Sequence, residues 1–214
     1  MIVSNEDNIV IDRTDSMYPC TLYKITNNTF DIPKNSTVYG FVIDGTVTIS
    51  ETKTLIKHEF FSFNSHYESK KIIIRGSVGI IIKYGFNGQN VFGGPVESQG
   101  RLCYINNCSD SLLVYPPRMG DASMSLLHFP PGIIQDFHTH PSFRLGIVFR
   151  GSGYAECKTG KQKLESGCVF CMEEQEIHRF VTEDNQLSVI SFHPDGDWGP
   201  TDHDHTLLNR TYLK

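Results

Sequence analysis

The stretch His138-Thr139-His140-Pro141-Ser142-Phe143-Arg144 brings two imidazoles and a guanidinium close together along the chain. On extended backbone, residues two apart share a face, so His138 and His140 project to one side, as the start of a metal site does. Neutral imidazoles suit Fe(II), Ni, Cu or Zn rather than Mg or Ca, which prefer oxygen ligands. Arg144 runs against this. It has no acceptor atom and stays protonated, so it ligates no cation and repels one unless an anion lies between them. Together these residues fit a pocket in which a substrate carboxylate, phosphate or enolate bridges a metal and the Arg144 fork. The alternative is that Arg144 turns outward or pairs with Glu173, Glu174 or Asp136.

Such residues need a scaffold, and the sequence points to strands. Short β-branched and aromatic runs (VYGFVIDGTVTIS, EFFSFN, KIIIRGSVGIIIKYGF, MSLLHF, LGIVFRG, HRFVTE, LSVISF) are separated by Gly, Asn and Asp. Helical periodicity is nearly absent, so the fold class is all-β, a sandwich or barrel. An internal repeat sharpens this. Val38-Tyr39-Gly40-Phe41-Val42-Ile43-Asp44-Gly45 lies over Arg144-Leu145-Gly146-Ile147-Val148-Phe149-Arg150-Gly151, with a glycine at the third and eighth places of both. The chain of 214 residues has room for two domains of about 100 residues. The expected division falls near Gly93-Gly94-Pro95, giving domains 1–95 and 96–214.

Composition excludes several classes. The net charge of -5 and the absence of a Lys/Arg run argue against a nucleic-acid partner. No apolar run approaches the roughly 18 residues of a membrane span, and MIVSNEDNIVIDRTD has no signal-peptide pattern. A cytoplasmic protein is expected, with its six cysteines reduced. Cys168-Val169-Phe170-Cys171 has the spacing of half a zinc knuckle. A second half is missing, and strand alternation sends the two thiols to opposite faces, so buried thiols are the better reading.

The second half resembles a cupin, and the whole chain a bicupin of two jelly-roll barrels in tandem. The first cupin motif is matched by Gly132, five residues, His138-Thr139-His140, three residues, Arg144 in the glutamate place, six residues and Gly151. The second is matched by Gly167, five residues, Glu173-Glu174-Gln175 in place of Pro-X-Gly, two residues and His178. The resemblance implies metal ligation by His138, His140 and His178. Cupins with three histidines and no acid include thiol dioxygenases and dioxygenases that cleave β-diketones or hydroxylated aromatic acids. It therefore implies Fe(II) above Zn, Ni, Mn or Cu, with Arg144 binding the anionic substrate. Gly146, on the face of Arg144, is expected to leave interior volume beside the site.

In the first half, Ile32, Lys34 and Val38 stand where His138, His140 and Arg144 do, and His66 is the nearest candidate for the second-motif histidine. That half is read as degenerate, serving packing and dimerisation, and a homodimer is expected. The tail PDGDWGPTDHDHTLLNRTYLK carries Asp195, Asp197, Trp198, Asp202, a second His-X-His at His203-Asp204-His205, and Leu207-Leu208. It reads as a segment folding over a barrel mouth or a partner rather than as a second metal site, with His193 lining the same region. Three functions compete: an Fe(II) dioxygenase-like enzyme on a small anionic substrate, a metal-assisted isomerase or lyase, and a non-catalytic small-ligand module.

Overall fold

Long β-branched runs cut by turn glycines fold the chain into two antiparallel sheets, in a computed structural model that describes residues 1–118 and 120–195. After a first strand, β1 (Ile2–Ser4), eight strands form one sheet. They are β2 (Val10–Arg13), β3 (Cys20–Thr26), β4 (Thr29–Ile32), β5 (Ser36–Ser50), β6 (Lys53–Ile56), β7 (Phe60–Asn64), β8 (Lys70–Tyr84) and β9 (Val91–Gly93). The second sheet holds β10 (Leu102–Cys103), β11 (Ser109–Val114), β12 (Ser123–Phe129), β13 (Arg144–Cys157), β14 (Gly160–Glu165), β15 (Val169–Met172), β16 (His178–Val181) and β17 (Leu187–His193). It also recruits β1, which pairs with β15. The architecture is two jelly-roll barrels in tandem.

The repeat is structural. Gly40 on β5 pairs with Phe61 on β7, and Gly146 on β13 pairs with Phe170 on β15. A Cβ at Gly40 would lie 2.1 Å from the Phe61 ring, and one at Gly146 2.0 Å from the Phe170 ring. In both halves the absent side chain makes room for a phenylalanine inside the barrel. The expected open volume beside Gly146 is therefore corrected: Phe170 fills it. Both long strands also shift register at matching points, between Val42 and Asp44 and between Val148 and Arg150. The bend ends at Gly45 and Gly151, with φ of 76° and 77°, a left-handed conformation that glycine adopts without steric cost.

Strand alternation divides the apolar residues among three cores. Val38 and Val42 point into the first barrel with Ile32, Phe61, Ile72 and Ile80. Val148 points into the second with Phe129, Phe170 and Phe180. The intervening residues Tyr39, Phe41, Leu145, Ile147 and Phe149 pack the two sheets against each other, with the Phe41 and Phe149 rings 4.9 Å apart. Each such fully buried side chain contributes about 1.5–3 kcal/mol. One apolar face of each sheet is thus covered by the other within one chain.

The cysteines follow the same alternation. Cys168 lies in the second barrel's core and Cys171 in the core between the sheets, so the two thiols do not converge. Burial pushes Cys20 and Cys171 up to about 12 and Cys108 to about 11, and a protonated thiol is a poor nucleophile. In the native protein an aromatic disulfide reagent will react fast with exposed Cys103 and half-buried Cys157, and with Cys20, Cys108, Cys168 and Cys171 only after denaturation. Rapid titration of the four buried thiols without denaturant would contradict the packing. No helix among the described residues is long and apolar enough to cross a membrane.

Candidate metal centre

His178 opens β16, as the sequence indicates. His138 and His140 do not sit in a regular strand. They lie in an extended segment between Pro130 and Pro141 whose only ladder contacts are two isolated bridges, Ile134 to Val181 and His138 to His178. Between the bridges the Gln135 N–H donates to the Phe180 carbonyl, but the Phe180 N–H donates back to Oε1 of Gln135 instead of its backbone carbonyl, which interrupts the ladder. Alternation still holds on extended backbone, and both imidazoles face inward.

The His138–His178 bridge is a reciprocal pair of backbone hydrogen bonds, each 3.0 Å long. It sets the two rings side by side with centroids 4.5 Å apart; His140 lies 5.1 Å from each. Ligand atoms of the three fall within 4.8 Å of one another, the one such group among the described residues. Gln175 helps hold the third histidine: its N–H donates to the His140 carbonyl at 2.9 Å. It does so at a φ of 56°, the left-handed conformation that the motif's missing glycine would supply.

Ring orientation is fixed from behind. Nδ1 of His138 donates to the Asp136 carbonyl at 2.9 Å, and Nδ1 of His178 to the Glu176 carbonyl at 2.7 Å. A proton committed to Nδ1 leaves the Nε2 lone pair facing the centre, the usual arrangement for a ligating histidine. Nε2 of His178 is buried and has no hydrogen-bond partner. Burial pulls His178 down to about 4 and depresses His138; His140 is driven further down, by burial first and then by Arg144 and His193. All three are neutral at physiological pH and able to donate to a cation. The residues present therefore fit a divalent metal.

Arg144 is 1% exposed and lines the same cavity as His138 and His140, with Tyr104, Asp110 and His193. Its Nη1 donates to the Ser142 carbonyl, the Ser142 hydroxyl and the Phe143 carbonyl at 3.1, 2.5 and 3.2 Å. The Asp195 carboxylate stands 3.9 Å away and accepts from Ser142 Oγ at 2.6 Å. The sequence-based partners are placed elsewhere: Glu173 pairs with Arg13 at 2.8 Å, and Asp136 accepts from Asn106. Lys83, buried on β8, donates to the Pro194 carbonyl and sits over the Phe86 ring at 4.4 Å. The first barrel thus braces the segment that carries Asp195. The cavity measures about 20 Å³, room for about one water-sized particle.

The equivalent place in the first barrel is built differently. Ile32 pairs with Lys70 as His138 does with His178, so Lys70, not His66, stands at the second-motif position. Ile32 and Val38 are buried in hydrocarbon, and Lys34 is exposed. His193 lines the cavity, its ring 6.3 Å from His140. Trp198, His203, Asp204, His205 and Leu207-Leu208 lie outside the described residues.

Solved structures share this architecture. A cupin 2 conserved barrel domain protein from Leptotrichia buccalis superposes with a TM-score of 0.61 at 16% identity, over 86% of this chain and 87% of that one. The fold is that of the cupins. A putative glyoxylate-induced protein from Pseudomonas aeruginosa matches the cupin fold at a TM-score of 0.67 and 13% identity, over 92% of this chain and 83% of its own. The salicylate 1,2-dioxygenase of Pseudoaminobacter salicylatoxidans, in its gentisate adduct, gives 0.57 at 10% identity, over 81% and 67%. The model of the AraC-like ligand binding domain matches residues 130–206, the part of this chain that carries all three histidines. No curated protein matches the sequence.

Proposed function

We propose that this chain is a metal-dependent cupin enzyme of dioxygenase-like type, holding Fe(II) through His138, His140 and His178 and acting on a small anionic substrate. The observation that carries the reading is the convergence of three neutral imidazoles, two of them, His138 and His178, with Nδ1 committed to backbone carbonyls, and His178 also with a buried, unpartnered Nε2. When bound, the metal supplies a Lewis-acidic, redox-active centre with positions left open by the three ligands. The Asp136 and Glu176 carbonyls hold the rings in place. Arg144 supplies the positive charge that draws an anion to the cavity, and Ser142 and Asp195 keep its guanidinium in position. A dioxygenase among the fold relatives supports the reading.

The test is oxygen uptake by protein loaded with iron under argon, presented with a panel of hydroxylated and oxo carboxylates. Uptake that needs both iron and His138 is the expected result. Turnover that runs without oxygen and tolerates Zn would replace the reading with an isomerase or lyase. Arg144→Ala will weaken anion binding by about 1.5–3 kcal/mol, the range for a hydrogen bond to a charged group. Arg144→Lys will restore only part of this, because the planar fork is lost. Equal binding by Arg144→Ala and the parent would remove Arg144 from the substrate's path. A second reading, a ligand-binding module without catalysis, is favoured by the ligand-binding family model over residues 130–206. Saturable binding of a carboxylate with no turnover under any of these conditions would establish it.

A further inference from the structure

The cavity wall beside the histidines carries a carboxyl that the site as proposed does not use. Asp110, on β11, is 2% exposed and lines the cavity together with His138, His140 and Arg144. Its Oδ1 is buried with no hydrogen-bond partner. The direction is set by register: Asp110 pairs with Leu127, a residue of the second barrel's interior core. Ser125 lies two residues from Leu127 on β12 and so on the same face. It is 1% exposed, and its Oγ also lacks a partner. Two adjacent interior positions thus present unsatisfied polar atoms, where hydrocarbon would be the cheaper filling.

The backbone holds Asp110 in this orientation. Its neighbours Ser109 and Ser111 point to the other face, where their hydroxyls accept hydrogen bonds from the Gly100 and Arg101 N–H groups at 2.8 and 2.9 Å. Gly100 lies so close that a Cβ there would sit 2.3 Å from the Asp110 nitrogen. A loop is stapled along the outside of β11, and the carboxyl between the two staples faces in. Asp110 is absent from the group of atoms able to share one ion, which comprises His138, His140 and His178. Its place is therefore beside the metal position rather than on it. Burial raises the Asp110 carboxyl to about 7, and Ser125 lies close enough to oppose the shift as a hydrogen-bonding neighbour, so the neutral, donating form is accessible near neutral pH.

We propose that Asp110 is a ligand-binding residue of this site, its carboxyl hydrogen-bonding to the hydroxyl or carbonyl oxygen of a small 2-hydroxy or 2-oxo carboxylate whose carboxylate lies toward Arg144. The proposal rests on the reading of the three histidines as a metal site that admits an anion. It narrows the ligand from any small anion to a short acid with a second oxygen. Ser125 hydrogen-bonds to the same carboxyl once the ligand orders it.

The test uses protein loaded with Co(II), whose visible spectrum reports on its ligands, titrated with glycolate and with acetate. These probes differ by one hydroxyl. In the parent, glycolate will bind more tightly than acetate. In Asp110→Ala the glycolate affinity will fall about tenfold while acetate changes less than about twofold, the loss of one hydrogen bond to a buried group. Asp110→Asn keeps an N–H donor and will hold glycolate within about threefold of the parent. Cobalt content and thermal midpoint will be unchanged in both variants, or the midpoint raised, because a buried unsatisfied carboxyl has been removed. Loss of cobalt from Asp110→Ala, an unchanged glycolate preference in it, or an Asn variant as weak as the Ala variant would each overturn the proposal while leaving the metal reading intact. Failure of the parent itself to bind cobalt would overturn both.

Discussion

Alanine at His138, His140 or His178 will strip the purified, untagged protein of metal, while alanine at His58, His66 or His128 will leave its content at one ion per chain. The three site imidazoles converge within 4.8 Å. The others are occupied elsewhere: the His58 ring packs 5.2 Å from Phe149, His66 lies 4.5 Å from Tyr67, and His128 bonds to Ser188 Oγ at 3.1 Å. Losing a group that merely orients a ligand costs about 10–100-fold in metal affinity, and losing one ligand of three will cost more. Elemental analysis and competition with a chromophoric chelator read this out directly. Chelation will also lower the thermal midpoint, since an ion present at about 1,000 times its dissociation constant stabilises the folded state by about 4 kcal/mol. Equal loss from the outlying histidines, or a midpoint indifferent to chelator, would sink the assignment.

Gly146→Ala will destabilise the fold by about 3 kcal/mol, the upper end for overpacking a well-filled core. The new methyl carbon would sit 2.0 Å from Cζ of Phe170. That ring is fully buried among Phe129, Val148 and Phe180 and has nowhere to go. Phe170→Leu in the same chain will recover part of the loss, so the double-mutant cycle will be strongly non-additive, as contacting residues require. Gly40→Ala will behave alike against Phe61, at 2.1 Å. Urea unfolding of the two singles and the double measures the coupling. An additive cycle would mean that Gly146 serves its backbone geometry and not the ring beside it.

The glycines show why the barrel was legible in the sequence. Gly40 and Gly146 recur because a phenylalanine must enter beside each, and Gly45 and Gly151 recur because the chain bends there. A bend or a ring from the paired strand that both barrels require leaves its mark at the same place in both copies. The histidines were found for the same reason, their spacing being set by extended backbone and one bridge. Contacts between distant segments left no such pattern. Asp110 reaches the site from β11, Asp195 holds Ser142 beside Arg144, and Lys83 reaches across from the other barrel. None of these pairings has a fixed separation along the chain. His66 was only the nearest candidate for the second-motif position, and the pairing of Ile32 with Lys70 gives that place to Lys70. Gly146 was placed on the correct face and misread, because the residue that fills its space lies on another strand.

The pairing of β1 with β15 puts the order of synthesis at odds with the order of assembly. Ile2, Val3 and Ser4 are synthesised before the whole first barrel, and their partners Cys171, Phe170 and Val169 only after it. The strands of the first barrel can pair while the nascent chain grows, but β1, which belongs to the second sheet, has to wait as an unpaired edge. Edges of that kind invite intermolecular pairing. The strand is short, and Ile2 remains exposed on it, which limits what a stray neighbour gains by binding there. When Val169–Met172 arrives, the two ends of the molecule's history are joined in one ladder, next to the Glu173–Glu176 turn that supports His178. A chain truncated between β9 and β16 therefore carries every strand of the first barrel and lacks His178.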